Sequence, residues 1–400
     1  MSVAVTEQPE AGRPGAEQVE ERRPSLWTAA GAWRGVLIAV GIFALTRVAQ
    51  LLILVWLGSA AADGTSLRGR LLVWDAGWFL RVAVDGYPHS YTYDTQHVLQ
   101  GNELAFFPLY PMLIRGFAAI GLSAQSAALL VSWTASIAAA VALHLLGTTL
   151  YGKRTGWALV AICCSAPVSV VLSMAYSEAL FLALVAGMLV AAHRQVWWAA
   201  GLLGLGAALT RPTGAAAALA LAVAALMAVR RNPRKPWPPL LAAAVAMAGV
   251  PLFLAWVGWR VGDWSAWFRI QTAGWGTSFD YGRSTWLFLS DTLSRGDGWI
   301  PMSVALILLA ALAAAGVALA GRPWPPLAVY GVVAMVLVYG QAGFYHSKPR
   351  LLLPVLLTLL PAAVAAARAR PRVAVLAITA WAAFGLWYGA YLITIWPYTL

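Results

Sequence analysis

Residue types that could carry out catalysis are concentrated between residues 74 and 111, directly after the first long apolar stretch. This segment contains four acids: Asp75, Asp85, Asp94 and Glu103. Acids are costly inside hydrocarbon, so an acid-bearing loop beside apolar segments indicates a site that faces water at the edge of a bilayer. Asp75 lies closest to the apolar stretch, and its carboxylate could act as a general base, which makes it the leading catalytic candidate. The alternatives for Asp75 are capping a short helix or pairing with Arg81.

Cationic candidates lie further along the chain, at two predicted turns between apolar segments. Arg211 lies in one turn, and the other contains His346, Lys348 and Arg350. The planar guanidinium group of arginine fits a phosphate bidentately through charge-assisted hydrogen bonds. We therefore predict that these residues bind a phosphate. The alternative is that they only anchor helix ends by extending to the membrane interface.

Two further acids are candidate substrate-binding residues. Glu178 is predicted at the end of an apolar segment, directly after Tyr176 and Ser177. It either takes part in the site or caps the following helix, since acids are favoured at helix starts. Glu103 either orients a substrate or helps to bind a cation, and the alternative is a solvated loop acid.

The composition identifies the class of protein. Hydrophobic residues make up 61% of the 400 residues, charged residues only 10%, and the mean hydropathy is +0.73. Soluble domains carry about 25% charged residues, so the composition indicates an integral membrane protein. Its apolar runs are continuous and lack the alternation of a β-barrel, which predicts an all-α polytopic bundle. The net charge of +12 lies largely in short loops, where it indicates membrane orientation instead of nucleic-acid binding.

We predict eleven membrane spans, with ten to twelve as the range. They cover residues 33–57, 125–150, 156–174, 177–193, 196–210, 212–229, 238–258, 302–320, 325–343, 350–367 and 372–396. The basic loop at 230–235 is assigned to the cytoplasm, which places the N-terminus inside and the loop 74–111 outside. Residues 105–121 contain two prolines and an arginine, and we predict a helix in the outer interface there.

The chain is predicted to comprise a tail and one domain. Residues 1–33 are polar and rich in Glu, Pro and Gly, which predicts a disordered cytoplasmic tail. Residues 34–400 are predicted to form a single multispanning catalytic domain. Within it, the loop 259–301 has no apolar run long enough to cross, and an amphipathic surface helix is expected around 264–270.

Several motifs occur in an order that resembles a known family. They are Trp74-Asp75 with Phe79, Gly86-Tyr87, Ala105-Phe106-Phe107-Pro108, Tyr176-Ser177-Glu178-Ala179-Leu180-Phe181, Leu209-Thr210-Arg211-Pro212-Thr213-Gly214 and Pro349-Arg350-Leu351-Leu352-Leu353-Pro354. This set resembles the GPI mannosyltransferase II (PIG-V) family. The resemblance implies a GT-C-type multispanning fold, a polyprenyl-phosphate-linked mannose donor and a membrane acceptor. The scarcity of lysine relative to arginine is typical of high-GC bacteria, in which a glycolipid, lipoglycan or protein is the expected acceptor.

The resemblance and the residue chemistry predict the same roles. Sugar transfer from a polyprenyl phosphate needs a base near the acceptor hydroxyl and positive charge near the leaving phosphate. Asp75 is predicted to be that base, and Arg211 with the turn at Lys348 and Arg350 is predicted to stabilise the phosphate. Aromatic side chains are expected to shape the pocket, namely Trp74, Phe106, Phe107 and Tyr176.

Other site classes have little support in the sequence. There is no Gly-rich phosphate loop after a strand and no HExxH motif, and the first outer loop has no Asp-x-Asp pair. We therefore predict no metal ligands, although the resemblance leaves a divalent cation open. No nucleic-acid partner is expected. The alternative function is a transporter or flippase of lipid-linked sugars, which would use the same cations without a base.

Overall fold

This computed structural model describes residues 26–396 and 398 and is almost entirely helical. The helices are α1 (Leu26–Ala61), α2 (Leu67–Arg70), α3 (Asp75–Asp85), α4 (Leu109–Ala119), α5 (Ala124–Tyr151), α6 (Lys153–Cys164), α7 (Glu178–His193), α8 (Trp197–Ala208), α9 (Gly214–Arg231), α10 (Trp237–Val261), α11 (Ala266–Trp275), α12 (Arg283–Arg295), α13 (Trp299–Ala320), α14 (Pro325–Gly340), α15 (Lys348–Leu352), α16 (Leu356–Arg368) and α17 (Pro371–Thr394). Short 3-10 turns occur at Glu103–Ala105, Ser169–Leu172 and Tyr345–Ser347, and β1 (Thr92–Tyr93) pairs antiparallel with β2 (Leu99–Gln100).

Six of the described helices are long and apolar enough to cross a membrane: α1, α5, α9, α10, α13 and α17. A seventh candidate is the bent pair Tyr345–Leu352 and Leu356–Arg368, which changes direction by 57°. Shorter apolar helices are α7, α8 and α14. The predicted all-α, multi-pass membrane class is therefore confirmed, whereas the count of eleven crossings is not.

The N-terminal prediction concerns mainly residues that the structure does not describe. Residues 1–25 of the predicted tail lie outside the described residues. Helix α1 begins at Leu26, earlier than the first predicted span, and ends at Ala61. The division into a tail and a single domain therefore stays a prediction.

The segment predicted as a span at 156–174 has a different structure. Helix α6 ends at Cys164, and residues 165–177 form a fully buried, irregular path that includes only one 3-10 turn. Irregular backbone at membrane depth is tolerated where protein groups satisfy it. Arg47 of α1 donates to the carbonyls of Cys164 and Ser169, and Ser136 of α5 donates to the carbonyl of Leu172. Hydropathy alone did not show this break, because three serines and Pro167 lie among strongly apolar residues in the predicted span.

Two helices flank the bundle at one end without crossing it. Helix α4 has 11 residues, about 16 Å at the usual rise, which is too short for a hydrocarbon core of about 30 Å. It packs on α3 and α5. The amphipathic helix expected around 264–270 is α11, which extends to Trp275. Helices α3 and α11, with the residues just before α4, line part of the cavity described next.

Candidate active site

A cavity of about 190 Å³ collects most of the predicted site residues. Its lining includes Asp75, Phe106, Phe107, Arg211, Lys348 and Arg350. These residues come from α3, the turn before α4, the α8–α9 turn and α15, which are widely separated in the sequence. The structure therefore brings the predicted carboxylate and the predicted cations to one opening.

An ion-pair network forms one wall of this cavity. Arg350 Nη1 lies 2.7 Å from Asp75 Oδ2, and its Nε lies 3.2 Å from Glu178 Oε1. Arg211 Nη1 lies 2.7 Å from the same Glu178 oxygen. Two acids and two arginines thus alternate, so the buried charges balance. Because each arginine also lines the cavity, an incoming anion can share their positive charge.

Asp75 is the accessible acid of the network. Its side chain is 25% exposed, whereas that of Glu178 is 2% exposed. Asp75 is the first residue of α3, where a negative charge is favoured by the helix dipole. The preceding residue, Trp74, has φ of 56°, and this sharp turn directs the chain from α2 into α3. The predicted alternative of an Asp75–Arg81 pair is not observed, because Arg81 pairs with Glu103 at 2.8 Å.

Glu178 is the buried acid of the network and pairs with both arginines. It begins α7, directly after the irregular segment, and is buried between Arg211 and Arg350. The backbone before it is fixed by side chains of α5: Ser132 donates to the carbonyl of Tyr176, and Trp133 donates to that of Ser173. Glu178 is not among the residues that line the cavity, and its carboxylate contacts both arginines that are.

The predicted cluster at residues 346–350 divides into three environments. Arg350 lies in the ion-pair network, with its guanidinium 5.1 Å from the centre of the Tyr176 ring. Lys348 lines the cavity, but its ammonium donates to the carbonyls of Val338 and Gln341 at 2.9 and 2.6 Å. His346 lies outside the lining and packs against the rings of Phe344, Tyr345 and Trp396.

The remaining predicted residues lie around the cavity without lining it. Tyr176 is fully buried beneath Arg350, and its hydroxyl lies 3.4 Å from the amide of Asp75. Trp74 and Glu103 are outside the lining. Glu103 instead holds Arg81, whose guanidinium stacks on Trp78 at 3.8 Å.

Part of the site was missed in the sequence. Trp267, Gln271 and Trp275 of α11 line the cavity opposite Asp75's helix. Trp267 and Gln271 both donate to the carbonyl of Ala105, which attaches α11 to the motif residues before α4. Their sequence signal is an aromatic-rich amphipathic segment, a pattern that by itself predicts only a helix at the membrane surface.

Helix α11, which lines the cavity, is held at its N-terminal end by hydrogen bonds to Asp263. This carboxylate accepts hydrogen bonds from Tyr91 at 2.6 Å, from Ser265 and from Arg269. The hydrogen bond from Tyr91 is the main reason that the pKa of Asp263 lies well below its usual range. Stabilisation by a depressed acid is present at neutral pH and is lost only in strong acid. The loop that carries Tyr91 is therefore attached to α11 at physiological pH.

Among residues 26–396 and 398, no group of three or more His, Cys, Asp or Glu side chains could hold a metal ion. The cavity itself presents one acid and three cations, which suits an anion better than a metal.

A close helix approach positions Arg211, and we expect Gly214→Ala to disrupt it. A methyl group on Gly214 would lie 2.4 Å from Cα of Ala208, so α8 and α9 would have to separate. We expect a loss of about 1–3 kcal/mol of stability, measured as a lower unfolding temperature in detergent. Gly316→Ala is the control, because no atom lies within 4 Å of its added methyl group. An equal unfolding temperature for both variants would contradict this packing.

Comparison with known proteins adds an independent finding. Residues 59–225 match the family model described as Mannosyltransferase (PIG-V). The chain is 36% identical to the GPI alpha-1,6-mannosyltransferase 2 of Mus musculus over 168 residues, which cover 39% of this chain and 32% of the mouse protein. The enzyme of Rattus norvegicus is 35% identical over 160 residues, covering 37% and 30%. The chain thus matches about a third of the length of these relatives.

A solved structure also resembles this chain. The crystal structure of the Archaeoglobus fulgidus oligosaccharyltransferase, complexed with Zn and sulfate, aligns over 87% of this chain and 53% of its own, with a TM-score of 0.45 and 13% identity. The resemblance predicted from the motifs is confirmed for residues 59–225, which match the PIG-V family model and contain Asp75, Glu178 and Arg211.

Proposed function

We propose that this protein is a membrane glycosyltransferase that transfers mannose from a polyprenyl-phosphate-mannose donor to a glycolipid, lipoglycan or protein acceptor. The observation that carries the proposal is the meeting of Asp75, Arg211 and Arg350 at one cavity. Two of these residues lie within the segment related to mannosyltransferases. The proposed activity requires a base and anion-binding groups within reach of one sugar, and the cavity contains both an acid and arginines.

In the proposed reaction, the acceptor hydroxyl oxygen attacks C1 of the mannose, and the bond from C1 to the phosphate oxygen breaks. Asp75 accepts the hydroxyl proton as the new bond forms. The polyprenyl phosphate leaves with the electron pair, and Arg211 and Arg350 stabilise its negative charge. Attack opposite the leaving phosphate inverts the configuration at C1. Phe106, Trp267 and Trp275 supply aromatic faces against which a sugar ring can pack.

The proposed location of the reaction is the outer face of the cell membrane. Helix α9 begins beside Arg211 and ends at Arg230 and Arg231, about 27 Å away at the usual helical rise. Short basic loops favour the cytoplasm, so the cavity at the other end of α9 is assigned to the outside. A donor embedded in the membrane would reach the cavity there without a soluble nucleotide-sugar domain.

Reconstitution tests the activity directly. The full-length protein is placed in liposomes with radiolabelled polyprenyl-phosphate mannose and an acceptor extract from membranes. We expect label in a new acceptor product, and no label when GDP-mannose replaces the lipid-linked donor. Movement of the donor between leaflets without any labelled product would favour the transporter and overturn the proposal.

A further inference from the structure

A second cavity, of about 670 Å³, lies behind the candidate active site. The two cavities share a thin wall: Phe107 and Thr210 line the first, whereas the adjacent Pro108 and Leu209 line the second. A hydrogen bond of 2.9 Å from the Leu109 amide to the Leu209 carbonyl joins the two chain segments that form this wall. The second cavity is therefore a separate compartment.

Two arginines at this second cavity differ from those of the first. Arg211 and Arg350, which line the first cavity, each lie within 4 Å of a carboxylate. Among the described residues, Arg115 and Arg260 have no such acid partner. Asp85 also lines the cavity but forms no ion pair with either arginine in the described part of the chain. Two cations against one acid leave the cavity with a positive surplus.

Backbone contacts hold both guanidinium groups in fixed directions. Arg115 donates to the carbonyls of Ala83 and Val84, and Arg260 donates to those of Tyr87 and Pro88. These bonds use the Nε and Nη2 atoms. The Nη1 atoms make no hydrogen bond to any described residue, so each arginine keeps donors for a ligand. Fixed donors lose little entropy when an anion binds.

The other side of the cavity is apolar and continues onto the surface of a membrane span. Leu252, Phe253 and Trp256 of α10 line it, and Leu252 is 62% exposed on that candidate span. An exposed apolar face on a span contacts lipid chains. A cationic end and an apolar, lipid-facing side together match a molecule with an anionic headgroup and hydrocarbon chains.

We infer that this second cavity binds an anionic phospholipid, with its phosphate at Arg115 and Arg260 and its chains along the exposed face of α10. Binding depends on this compartment alone and does not require the proposed transferase activity. The occupant is a membrane lipid, because a free phosphate would not use the apolar wall.

Lipid binding by the full-length protein tests this inference. Delipidated protein in detergent is titrated with phosphatidylglycerol and with phosphatidylcholine, and bound lipids are counted by native mass spectrometry. We expect one tightly held phosphatidylglycerol per protein molecule. In the Arg115→Gln/Arg260→Gln variant, its dissociation constant should be higher by about tenfold or more. Arg283→Gln on α12 is the control and should bind as the wild type does. Equal binding in the double variant and the wild type would overturn the inference.

A matched pair at His89 keeps the test valid if the double variant does not fold. His89 is an exposed loop residue of the cavity, with Nε2 3.0 Å from Arg260 Nη2. His89→Glu would place a carboxylate beside Arg260 and weaken phosphatidylglycerol binding more than the uncharged His89→Gln does. Equal binding by these two variants, or displacement of the lipid by millimolar inorganic phosphate, would contradict a phospholipid site.

Discussion

Asp75→Asn is expected to lower mannose transfer by about 10²–10⁴-fold, the usual contribution of a general base. The amide keeps the shape of the carboxylate and can still accept a hydrogen bond from Arg350, but it cannot take the hydroxyl proton. Because Arg211 and Arg350 remain, donor binding should be retained. The measurement is initial rate in liposomes, together with the binding of labelled donor.

The control for Asp75→Asn is Asp291→Asn. Asp291 is an exposed carboxylate on α12, 3.7 Å from Arg295, so the same chemical change is made at a distant ion pair. Its transfer rate should equal that of the wild type. If Asp75→Asn retained full turnover in the same assay, Asp75 could not be the base, and the proposed mechanism would fail.

Glu178→Gln is expected to cause the largest loss of stability. Its carboxylate is buried and contacts both Arg211 and Arg350, at 2.7 and 3.2 Å. Neutralising it leaves Arg211 without its acid and two guanidinium groups facing each other in a poorly solvated site. Breaking a buried ion pair in this way costs about 3–5 kcal/mol. The unfolding temperature in detergent measures the effect.

Two comparisons separate this effect from general damage. Glu103→Gln removes an acid whose partner, Arg81, is 49% exposed, and such a pair contributes about 0–1 kcal/mol. Adding Arg211→Gln to Glu178→Gln removes the unpaired cation and should restore part of the lost stability. If Glu178→Gln unfolded at the wild-type temperature, charge balance would not be what holds the two arginines in place.

The candidate site could be predicted where a residue type has few uses in a membrane. Asp75 and Arg211 are polar groups next to apolar runs, and such groups are rare enough to identify from the sequence. Their meeting at one cavity was expected and is observed. The partner of Asp75 could not be predicted, because Arg350 and Arg81 were equally available by type. The choice depends on tertiary packing, which places α15 against α13 and α14 and pairs Arg81 with Glu103.

Other features had no signal that separates them from ordinary membrane sequence. The ammonium group of Lys348, which lines the cavity, also donates to two backbone carbonyls, a contact that residue type alone does not indicate. The aromatic face of α11 was expected at the lipid surface, yet Trp267 and Trp275 line the cavity. Hydropathy reports which side chains avoid water, and it does not distinguish lipid from a protein neighbour.

The irregular segment 165–177 bears on the order in which the chain assembles during synthesis. The side chains that donate to its backbone carbonyls, Arg47, Ser132, Trp133 and Ser136, all precede it in the chain. The backbone amide of Ala175 likewise reaches back to the carbonyl of Leu71. These backbone groups can therefore find their hydrogen-bond partners as soon as the segment leaves the ribosome, before any later helix exists. The last helix, α17, then closes over it, with Gly385 lying against the Ser165 carbonyl.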